Sequence, residues 1–563
     1  MIGYIRNIGQ YYQKENSEET PINGMIKTIN SEDIKYILLI NVKVDEITIQ
    51  TKEFYKDIVY EALFYQSGNA VLGGGIRLDY YQEKNKDDPS KKDFSKGRRK
   101  LEKICKFCEI EDRYEEVKEC IENYLKDNDN KTFAVIKIQG KMPQELYSSK
   151  FLERMYKTTY NKVSDKGKCH ICGNEGKVYN TTTFKFYTND KGIYKNINEK
   201  DNSGFIVDED CLNSIIVGKS YINQYLSTYW GLIGEKVMFL PHHYSEDAAS
   251  IFEGVSLNKE GQEINFINTI RLNEEDFLDI VGKTNTITDI IFYQDDTKFF
   301  NINYHIQSIM PTRFSYISNL MKKYSLNLIS IIINTTATKI SHDNIETTKK
   351  EKMRIIDSIF TGKRINRNLF FKRVTDVFKF YYLREEHKKF KSINTINKIY
   401  NFLCQCGCLE GEWDVLKKDY ENYQEFFDVN QSYFDLNEKK AWFILGMSYN
   451  TTIYYMKRRG ENNEGELDKT SLEKNFFFAR KFDFNDFIYF ANLIEDKMIK
   501  YKIDKLFLKK MLCEAKELMA NRQNKLSIDE AKYIFFWGLD SYFGKNEKVQ
   551  NISIGENIEE EVL

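Results

Sequence analysis

One short motif limits the folds open to this chain more than any other. Cys169-His-Ile-Cys172 is followed, after 38 intervening residues, by Cys211, which ends the run Asp208-Glu-Asp-Cys211. A two-residue gap lets two thiolates turn toward one tetrahedral ion, so the motif predicts a zinc-ribbon-like knuckle. A complete ribbon would carry cysteine in place of Asp208, which leaves Asp208, His170 or no residue as the fourth ligand. A former ribbon that has lost its zinc fits the same pattern, and both interpretations stay open.

The composition restricts the class of protein. The 563 residues are enough for two to four domains, and the formal net charge of -1 gives no overall basic field that would attract nucleic acid. Ten cysteines in a chain without a signal peptide indicate reduced thiols and a cytoplasmic location. No uninterrupted apolar run approaches the roughly 18 residues of a membrane span, so we expect no membrane partner.

The order of strand and helix patterns predicts an α+β fold. Short apolar or alternating runs at 34–42, 46–51, 133–138 and 179–187 are typical of strands, and 189–192 of a turn. The segments 433–459, 484–500, 504–520 and 527–541 have helical spacing, and Thr470 and Ser527 each begin a capping box. We therefore predict a mixed α/β amino-terminal domain (1–165), a zinc-ribbon-like insert (166–225), a mixed remainder with a basic segment (226–410) and a helical bundle (411–563).

Two segments of the amino-terminal domain could face DNA. The first, from Ser67 to Arg77, is the most glycine-dense part of the chain, and its small residues would allow close approach to a phosphate or a groove, although a mobile turn is the simpler interpretation. The second, from Lys91 to Lys106, has eight basic residues against two acids, which fits either a solvated helix face or phosphate contact. The residues singled out are Asn69, Gly73, Gly74, Gly75, Arg77, Arg98 and Arg99.

A third basic segment lies between Lys349 and Lys391, where fourteen Lys or Arg face five Asp or Glu. Its densest part interleaves charge with aromatic rings, a mixture that suits a groove following a phosphate backbone better than an ordinary soluble surface. The basic residues are Lys363, Arg364, Arg367, Lys372 and Arg373, and the rings are Phe370, Phe371 and Phe378.

No motif predicts catalysis. Gln294-Asp-Asp-Thr297 lacks the flanking carboxylates of a two-metal centre, and His242-His243 lacks a helical zinc-binding frame. Cys105 and Cys108 lie on a predicted helix and are better explained as buried or incidental thiols, while the cysteines of Cys404-Gln-Cys-Gly-Cys408 stay unassigned.

Five stretches taken together resemble a known family. They are Gly3-Tyr-Ile-Arg-Asn-Ile-Gly-Gln-Tyr11, Cys169-His-Ile-Cys172, Val207-Asp-Glu-Asp-Cys-Leu212, Met310-Pro-Thr-Arg-Phe314 and Lys440-Ala-Trp-Phe-Ile-Leu-Gly446. In this order they are similar to the large subunit of type I-B CRISPR interference (Cascade) complexes, of the Csh type, over nearly the full length. The carboxy-terminal bundle is similar to the small subunit of the same complexes.

The resemblance implies a non-enzymatic subunit for antiviral defence. Such a subunit reads the protospacer-adjacent motif (PAM) in target double-stranded DNA, stabilises the R-loop and recruits the nuclease-helicase, while pairing with guide RNA reads the sequence. Its partners are the guide RNA, the backbone subunits and the small subunit. On this basis we expect Asn69, Gly73 to Gly75 and Arg77 to read or wedge the duplex, and Arg364, Arg367, Lys372 and Arg373 to contact phosphates. The alternatives are a stand-alone zinc-ribbon nucleic-acid-binding protein and a divergent metal-dependent nuclease.

Overall fold

A computed structural model describes most of the chain. The described residues are 1–15, 21–26, 34–67, 70–81, 83–84, 92–128, 131–158, 162–180, 205–257, 263–265, 274–295, 300–340, 345–384, 386–411, 420–459, 481–541 and 543. The chain divides into two compact units. Unit 1 comprises Met1–Trp230, Glu235–Arg271 and Thr284–Ser308, and unit 2 comprises Gly231–Gly234, Leu272–Lys283 and Ile309–Leu563.

Unit 1 is a mixture of helices and small sheets. Its helices are α1 (Ile2–Glu15), α2 (Pro21–Met25), α3 (Ile58–Glu61), α4 (Leu78–Tyr81), α5 (Ser95–Phe107), α6 (Tyr114–Asp127), α7 (Pro143–Thr158), α8 (Glu209–Tyr221) and α9 (Glu246–Glu253). Its strands are β1 (Tyr36–Val42), β2 (Ile47–Glu53), β3 (Tyr65–Ser67), β4 (Ala70–Leu72), β5 (Gly75–Arg77), β6 (Glu83–Lys84), β7 (Lys92–Asp93), β8 (Thr132–Ile138), β9 (Lys162–Lys168), β10 (Glu175–Asn180), β11 (Ile206–Val207), β12 (Ser227–Trp230), β13 (Glu235–Pro241), β14 (Val255–Leu257), β15 (Glu263–Asn265), β16 (Thr288–Asp295) and β17 (Phe300–Ile309).

The first sheet of unit 1 has the order β2-β1-β8-β5. Strand β1 pairs antiparallel with β2 and parallel with β8, so Ile37 lies between Lys52 and Phe133. The central strands β1 and β8 are buried over most of their length, as expected for apolar runs inside a sheet. The strands predicted at 34–42, 46–51 and 133–138 are confirmed, with bounds that shift by a few residues.

A second sheet has the order β12-β13-β16-β17, and a third, β11-β10-β9, carries the knuckle.

Helices α1 and α8 meet with their backbones in near contact. A Cβ added at Gly9 would lie 1.8 Å from the Ser214 carbonyl oxygen, and one at Gly218 would lie 2.1 Å from that of Ile5. Glycine at both positions is therefore what permits this close crossing.

Unit 2 is largely helical. Its helices are α10 (Glu274–Gly282), α11 (Pro311–Tyr324), α12 (Leu328–Thr336), α13 (Lys349–Thr361), α14 (Arg367–Arg384), α15 (Glu386–Gln405), α16 (Tyr423–Val429), α17 (Asn437–Arg459), α18 (Phe484–Lys500), α19 (Leu506–Ala520) and α20 (Ile528–Asp540), and its two strands among the described residues are β18 (Ala337–Ile340) and β19 (Ile345–Thr347).

The helices predicted for the carboxy-terminal bundle are confirmed as α17 to α20. Ser527 caps α20 as expected, because its hydroxyl accepts a hydrogen bond from the Glu530 amide at 3.3 Å. The capping box at Thr470, the turn at 189–192 and the second half of the 179–187 strand lie outside the described residues. The β-branched run at 326–334 forms a helix, since Asn327 caps its start and its apolar face is buried.

The break between the units near Ser308 falls inside the predicted part 226–410. The predicted division into four parts is finer than these two units and stays a prediction. Within the described part of the chain, no helix is long and apolar enough to cross a membrane.

Candidate metal centre

The knuckle is a turn between β9 and β10. The Cys169 amide donates to the Asn174 carbonyl at 2.8 Å, and the Gly173 amide donates to the Cys169 carbonyl at 3.0 Å. Gly173 has a φ of +79°, a left-handed value that glycine adopts without a side-chain clash. This tight turn brings the thiols of Cys169 and Cys172 to the same side.

The second half of the site stands at the start of a helix. Strand β11 pairs with β10, and Asp208 follows it as the N-cap of α8. One oxygen of Asp208, Oδ1, accepts a hydrogen bond from the Cys211 amide at 2.7 Å. The other, Oδ2, accepts one from the Cys172 thiol at 2.7 Å. Asp208 therefore caps the helix and faces the thiols at the same time.

Four ligand atoms converge here. Those of Cys169, Cys172, Asp208 and Cys211 all lie within 4.8 Å of one another. Zinc-sulfur bonds of about 2.3 Å place tetrahedral ligands about 3.8 Å apart, so a small contraction would close this quartet on an ion. Cys169 and Cys211 are buried and Cys172 is exposed. Three thiolates and one carboxylate form a donor set that suits zinc, and the four residues leave no open position for a substrate.

His170 is placed differently from these four residues. Its Nδ1 accepts a hydrogen bond from the Ile206 amide at 3.4 Å, and its ring makes an edge contact with Phe205. Among the predicted candidates for the fourth ligand, Asp208 is the one that the fold brings to the three thiols.

The crowding of acidic groups shifts their pKa values. Burial disfavours the Asp208 carboxylate, but hydrogen bonds from the Cys172 thiol and the Cys211 amide outweigh it and lower its pKa. The hydrogen bond to Asp208 raises the pKa of Cys172, and burial followed by the same carboxylate raises that of Cys211. Without a cation the cluster keeps protons on these two thiols, whereas a bound metal would displace them.

The glycines predicted to approach DNA are buried. A Cβ at Gly73 would lie 1.7 Å from the Leu63 carbonyl oxygen, and one at Gly75 would lie 2.4 Å from the Phe133 ring. Close internal packing explains why Gly73 to Gly75 are glycines. Arg77 makes a two-pronged ion pair with Asp79, at 3.0 and 2.6 Å. Asn69 lies outside the described residues, and contact of this segment with DNA stays a prediction.

The other amino-terminal candidates lie on α5. Arg98 forms two hydrogen bonds with the Glu122 carboxylate, at 2.8 and 3.0 Å, and Arg99 is exposed. Arg99 is therefore the better placed of the two for a phosphate.

The basic segment of unit 2 is mostly tied to the protein. Arg367 pairs with Glu530 at 2.6 Å, and its guanidinium lies 5.6 to 5.9 Å from the ring centres of Phe371, Tyr400 and Tyr433. Arg373 pairs with Glu351 at 2.7 Å and donates to the Thr335 carbonyl at 3.1 Å. Both guanidinium groups thus have internal partners.

The remaining charges of this segment face outward. Lys363 pairs with Asp357 at 2.6 Å, Arg364 pairs with Glu410, and Lys372 is exposed. Phe370, Phe371 and Phe378 are buried in the hydrophobic core, so these rings do not line a surface groove, and contact of the basic side chains with DNA stays a prediction. Interleaved charge and aromatic residues here mark one buried and one exposed face of a helix.

A polar cluster that the sequence did not indicate lies in the second sheet. The buried carboxylate of Asp289 accepts hydrogen bonds from the Ser308 amide at 2.7 Å, and its two oxygens lie 2.7 and 2.8 Å from Nε2 of His242 and His305. Tyr4 stacks on His242 with ring centres 4.2 Å apart. Burial would raise the pKa of Asp289, but these hydrogen bonds outweigh it and lower the pKa. An acid inside the apolar run Thr288–Tyr293 is the sequence feature that could have revealed the cluster.

The other cysteines have structural surroundings. Cys105 and Cys108 are buried, as predicted, and burial raises the pKa of each thiol to about 12. The turn around Cys406 is held by Arg313, whose guanidinium donates to the carbonyls of Ile359 and Cys406, the latter at 2.7 Å. Arg313 belongs to the Met310-Pro-Thr-Arg-Phe314 motif, which thus joins two helix ends of unit 2.

Comparison with known protein families identifies the chain. Residues 166–309 match the central domain of the CRISPR-associated protein TM1802 family, and residues 326–551 match its C-terminal domain. Together the matches cover more than half of the 563 residues and define a CRISPR-associated large subunit as the class of protein. The chain belongs to the TM1802 family. No curated protein matches it.

The two matches also agree with the fold. The first begins at the knuckle and ends at residue 309, next to the boundary of the units at Ser308. The predicted relation to CRISPR large subunits is thereby confirmed at the level of the family.

Proposed function

We propose that this protein is the non-catalytic large subunit of a type I-B RNA-guided surveillance complex, of the Csh type. In this role it reads the PAM, stabilises the R-loop and recruits the nuclease-helicase. The observation that supports the proposal is the ordered match of two family domains along the chain. The complex would contain guide RNA, backbone subunits and a small subunit, and would act on target double-stranded DNA.

Coexpression tests this proposal directly. The tagged chain is expressed with the backbone subunits and a guide RNA, and the purified assembly is mixed with matched duplex DNA that carries or lacks a candidate PAM. Copurification of RNA and PAM-dependent binding are expected. Duplex binding by the chain alone, with no partner retained, would instead favour a stand-alone nucleic-acid-binding protein. Metal-dependent cleavage by the isolated chain would favour a nuclease.

We further propose that Cys169, Cys172, Cys211 and Asp208 hold a structural zinc ion. The convergence of four suitable ligand atoms within 4.8 Å supports this assignment. Zinc at this point would fix the β9–β10 turn to the start of α8, and its charge would keep the thiols deprotonated.

Metal analysis of the purified full-length chain tests the zinc site. About one zinc per chain is expected, with its loss in Cys169→Ser and in Asp208→Ala. Cys513→Ser is the matched control, because Cys513 is an exposed cysteine outside the cluster. Wild-type protein without metal, or equal zinc in all variants, would refute the assignment.

The proposed DNA contacts include residues of both units. Arg99, Arg364 and Lys372 are exposed, so their charges can approach phosphates. Asn69→Ala and Arg77→Ala test PAM reading with a panel of flanking motifs, and an unchanged preference would contradict that role. Asp79→Ala is the control for Arg77, because it breaks the same ion pair and keeps the cation.

A further inference from the structure

The three thiols of the knuckle differ in their access to solvent. Cys169 and Cys211 are buried, whereas Cys172 is exposed. The residue after Cys172 is Gly173, which has no side chain to cover the thiol. Among the described residues, a Cβ added at Gly173 would meet only the Cε atom of Lys168, at 3.8 Å. One metal-binding thiol is therefore open to a small molecule from solution.

A second thiol lies within reach of the exposed one. The sulfur atoms of Cys169 and Cys172 are within 4.8 Å of each other, and both residues belong to one turn between the paired strands β9 and β10. A gap of two residues is the spacing of redox-active cysteine pairs. Cys211 stands on a different element, the start of α8, where the Asp208 carboxylate holds its amide. Cys169 is thus the natural partner of Cys172.

Zinc bound at the knuckle would make the exposed thiol reactive. A thiol that coordinates a metal is deprotonated, and the thiolate is the form that attacks an oxidant. Susceptibility to oxidation follows thiolate character and exposure, and redox-sensing cysteines commonly lie next to a second cysteine. Cys172 would combine these three properties.

The other cysteines lack this combination. Cys105 and Cys108 have the same two-residue gap, but both are buried. Cys406 and Cys408 are also close in sequence and buried. Cys513 is exposed, but it belongs to none of the closely spaced groups. An oxidant in solution should therefore distinguish the knuckle from two pairs that look similar in sequence.

We infer that Cys172 is an oxidation site, at which hydrogen peroxide converts the knuckle to a Cys169–Cys172 disulfide and releases its zinc. The Cys172 thiolate attacks one peroxide oxygen, the O–O bond breaks, hydroxide leaves, and a sulfenic acid remains. The Cys169 thiolate then attacks the Cys172 sulfur, the S–S bond forms, and the sulfenic oxygen leaves as a second hydroxide. Two electrons pass from the sulfur pair to the peroxide. The inference rests on the proposed zinc site and concerns its regulation.

Oxidation would remove two of the four ligands. Cys211 and Asp208 remain at the start of α8, and two ligands do not complete the four-coordinate shell of a structural zinc ion. The metal therefore leaves, and the β9–β10 turn loses its metal link to α8. Reduction of the disulfide restores both thiols, so the change is reversible.

The wild-type full-length chain, loaded with zinc, tests the inference without a substitution in the site. Hydrogen peroxide is added in steps, released zinc is followed with a chromogenic chelator, and the remaining thiols are alkylated and mapped by mass spectrometry. About one zinc per chain should be released as the Cys169–Cys172 disulfide forms, at least about tenfold faster than Cys105 and Cys108 are oxidised. A thiol reductant added together with zinc should restore the bound metal.

Cys513→Ser is the control for oxidation of an exposed thiol outside the cluster, and it should release zinc at the wild-type rate. Zinc that stays bound while Cys513 of the wild type is oxidised would overturn the inference. Release that accompanies a disulfide between Cys172 and Cys211 would contradict the role of Cys169. Equal rates for the knuckle and for Cys105 and Cys108 would show that exposure does not select the site, which also overturns the inference.

The zinc assignment and this inference fail in different ways. A wild-type chain that contains no zinc as purified contradicts both. A chain that holds one zinc, and keeps it at peroxide concentrations that oxidise Cys513, contradicts the inference alone. The role in a surveillance complex is decided separately, by the coexpression experiment.

Discussion

Two basic segments of unit 2 look alike in sequence and differ in structure. The segment from Lys363 to Arg373 has its aromatic rings in the core and two of its guanidinium groups, those of Arg367 and Arg373, paired inside the protein. The segment from Lys497 to Lys510, which includes the connection between α18 and α19, exposes three of its large apolar side chains together with four of its lysines. They are Ile499, Leu506 and Phe507, and Lys500, Lys502, Lys509 and Lys510. A surplus of basic residues therefore does not distinguish a binding surface from a framework of internal ion pairs. The placement of the accompanying apolar residues does.

The largest effect is expected for Arg367→Ala. Removing the guanidinium leaves Lys439, whose Nζ lies 3.6 Å away, as the cation beside the buried Glu530 among the described residues. Unfolding should therefore become easier by about 3 kcal/mol. Urea unfolding followed by tryptophan fluorescence, to which the buried Trp442 and Trp537 of unit 2 contribute, measures the change. Arg364→Ala is the exposed control and should change stability by less than about 0.5 kcal/mol. If Arg367→Ala and Arg364→Ala both had equally small effects on stability, the internal ion pair of Arg367 would not stabilise the protein. The contrast with the exposed segment would then fail.

Asp289→Asn extends the test of buried charges to unit 1. The loss of charge on a carboxylate with three hydrogen-bonding partners should cost about 2 kcal/mol at neutral pH, measured by urea unfolding. Because the folded pKa of Asp289 is lowered, its stabilisation is present above the unfolded value of about 4 and is lost as pH falls through the folded value. The difference between wild type and variant should therefore shrink below about pH 4. The exposed Asp45→Asn is the control, and a difference that does not depend on pH would contradict this account.

Lys502→Gly should stabilise the chain. Glycine adopts a φ of +52° without the strain of a side chain, so unfolding in urea should become harder by up to about 1 kcal/mol. Lys500→Ala, in the helix just before, should leave stability nearly unchanged, and destabilisation by Lys502→Gly would show that the lysine has a structural purpose.

The smallest effect on stability is expected for Lys372→Ala. The exposed lysine should contribute less than about 0.5 kcal/mol to folding. If it contacts a phosphate in the assembled complex, the salt slope for target binding should decrease by about 0.9, equally for all sequences. Arg373→Ala should do the reverse, with lower stability and the same slope. If Lys372→Ala and Arg373→Ala changed stability and salt slope by the same amounts, burial would not decide which of the two side chains contacts a phosphate.

Local sequence patterns predicted much of the fold. The strands β1, β2 and β8 and the helices α17 to α20 follow from apolar spacing, and the cap at Ser527 follows from its motif. The convergence of the thiols of Cys169, Cys172 and Cys211 was also predicted, because the spacing of a metal-binding knuckle indicates its geometry. Asp208 was left open as the fourth ligand, since only the start of α8 shows that its carboxylate faces the thiols.

Other features depended on contacts between distant parts of the chain. The partners of Arg367 and Arg373 come from other elements, Glu530 being 163 residues away, so no local pattern showed that these charges are internal. His242, Asp289 and His305 meet only through the pairing order of a sheet. The burial of Gly73 to Gly75 likewise depends on Leu63, Pro143 and Phe133, which a reading of the glycine run alone does not connect.

The crossing of α1 and α8 affects the order in which the protein can form during synthesis. Helix α1 is made before α8, and the backbone it packs against, near Ser214 and Gly218, follows about 200 residues later. At about 5 to 20 residues per second, the ribosome needs roughly 10 to 40 s to supply that partner. During this interval Ile5 and Ile8, fully buried in the finished protein, have no α8 to cover them. The docking of α1 therefore waits until α8 has been made, although the two helices pack against each other in the finished protein.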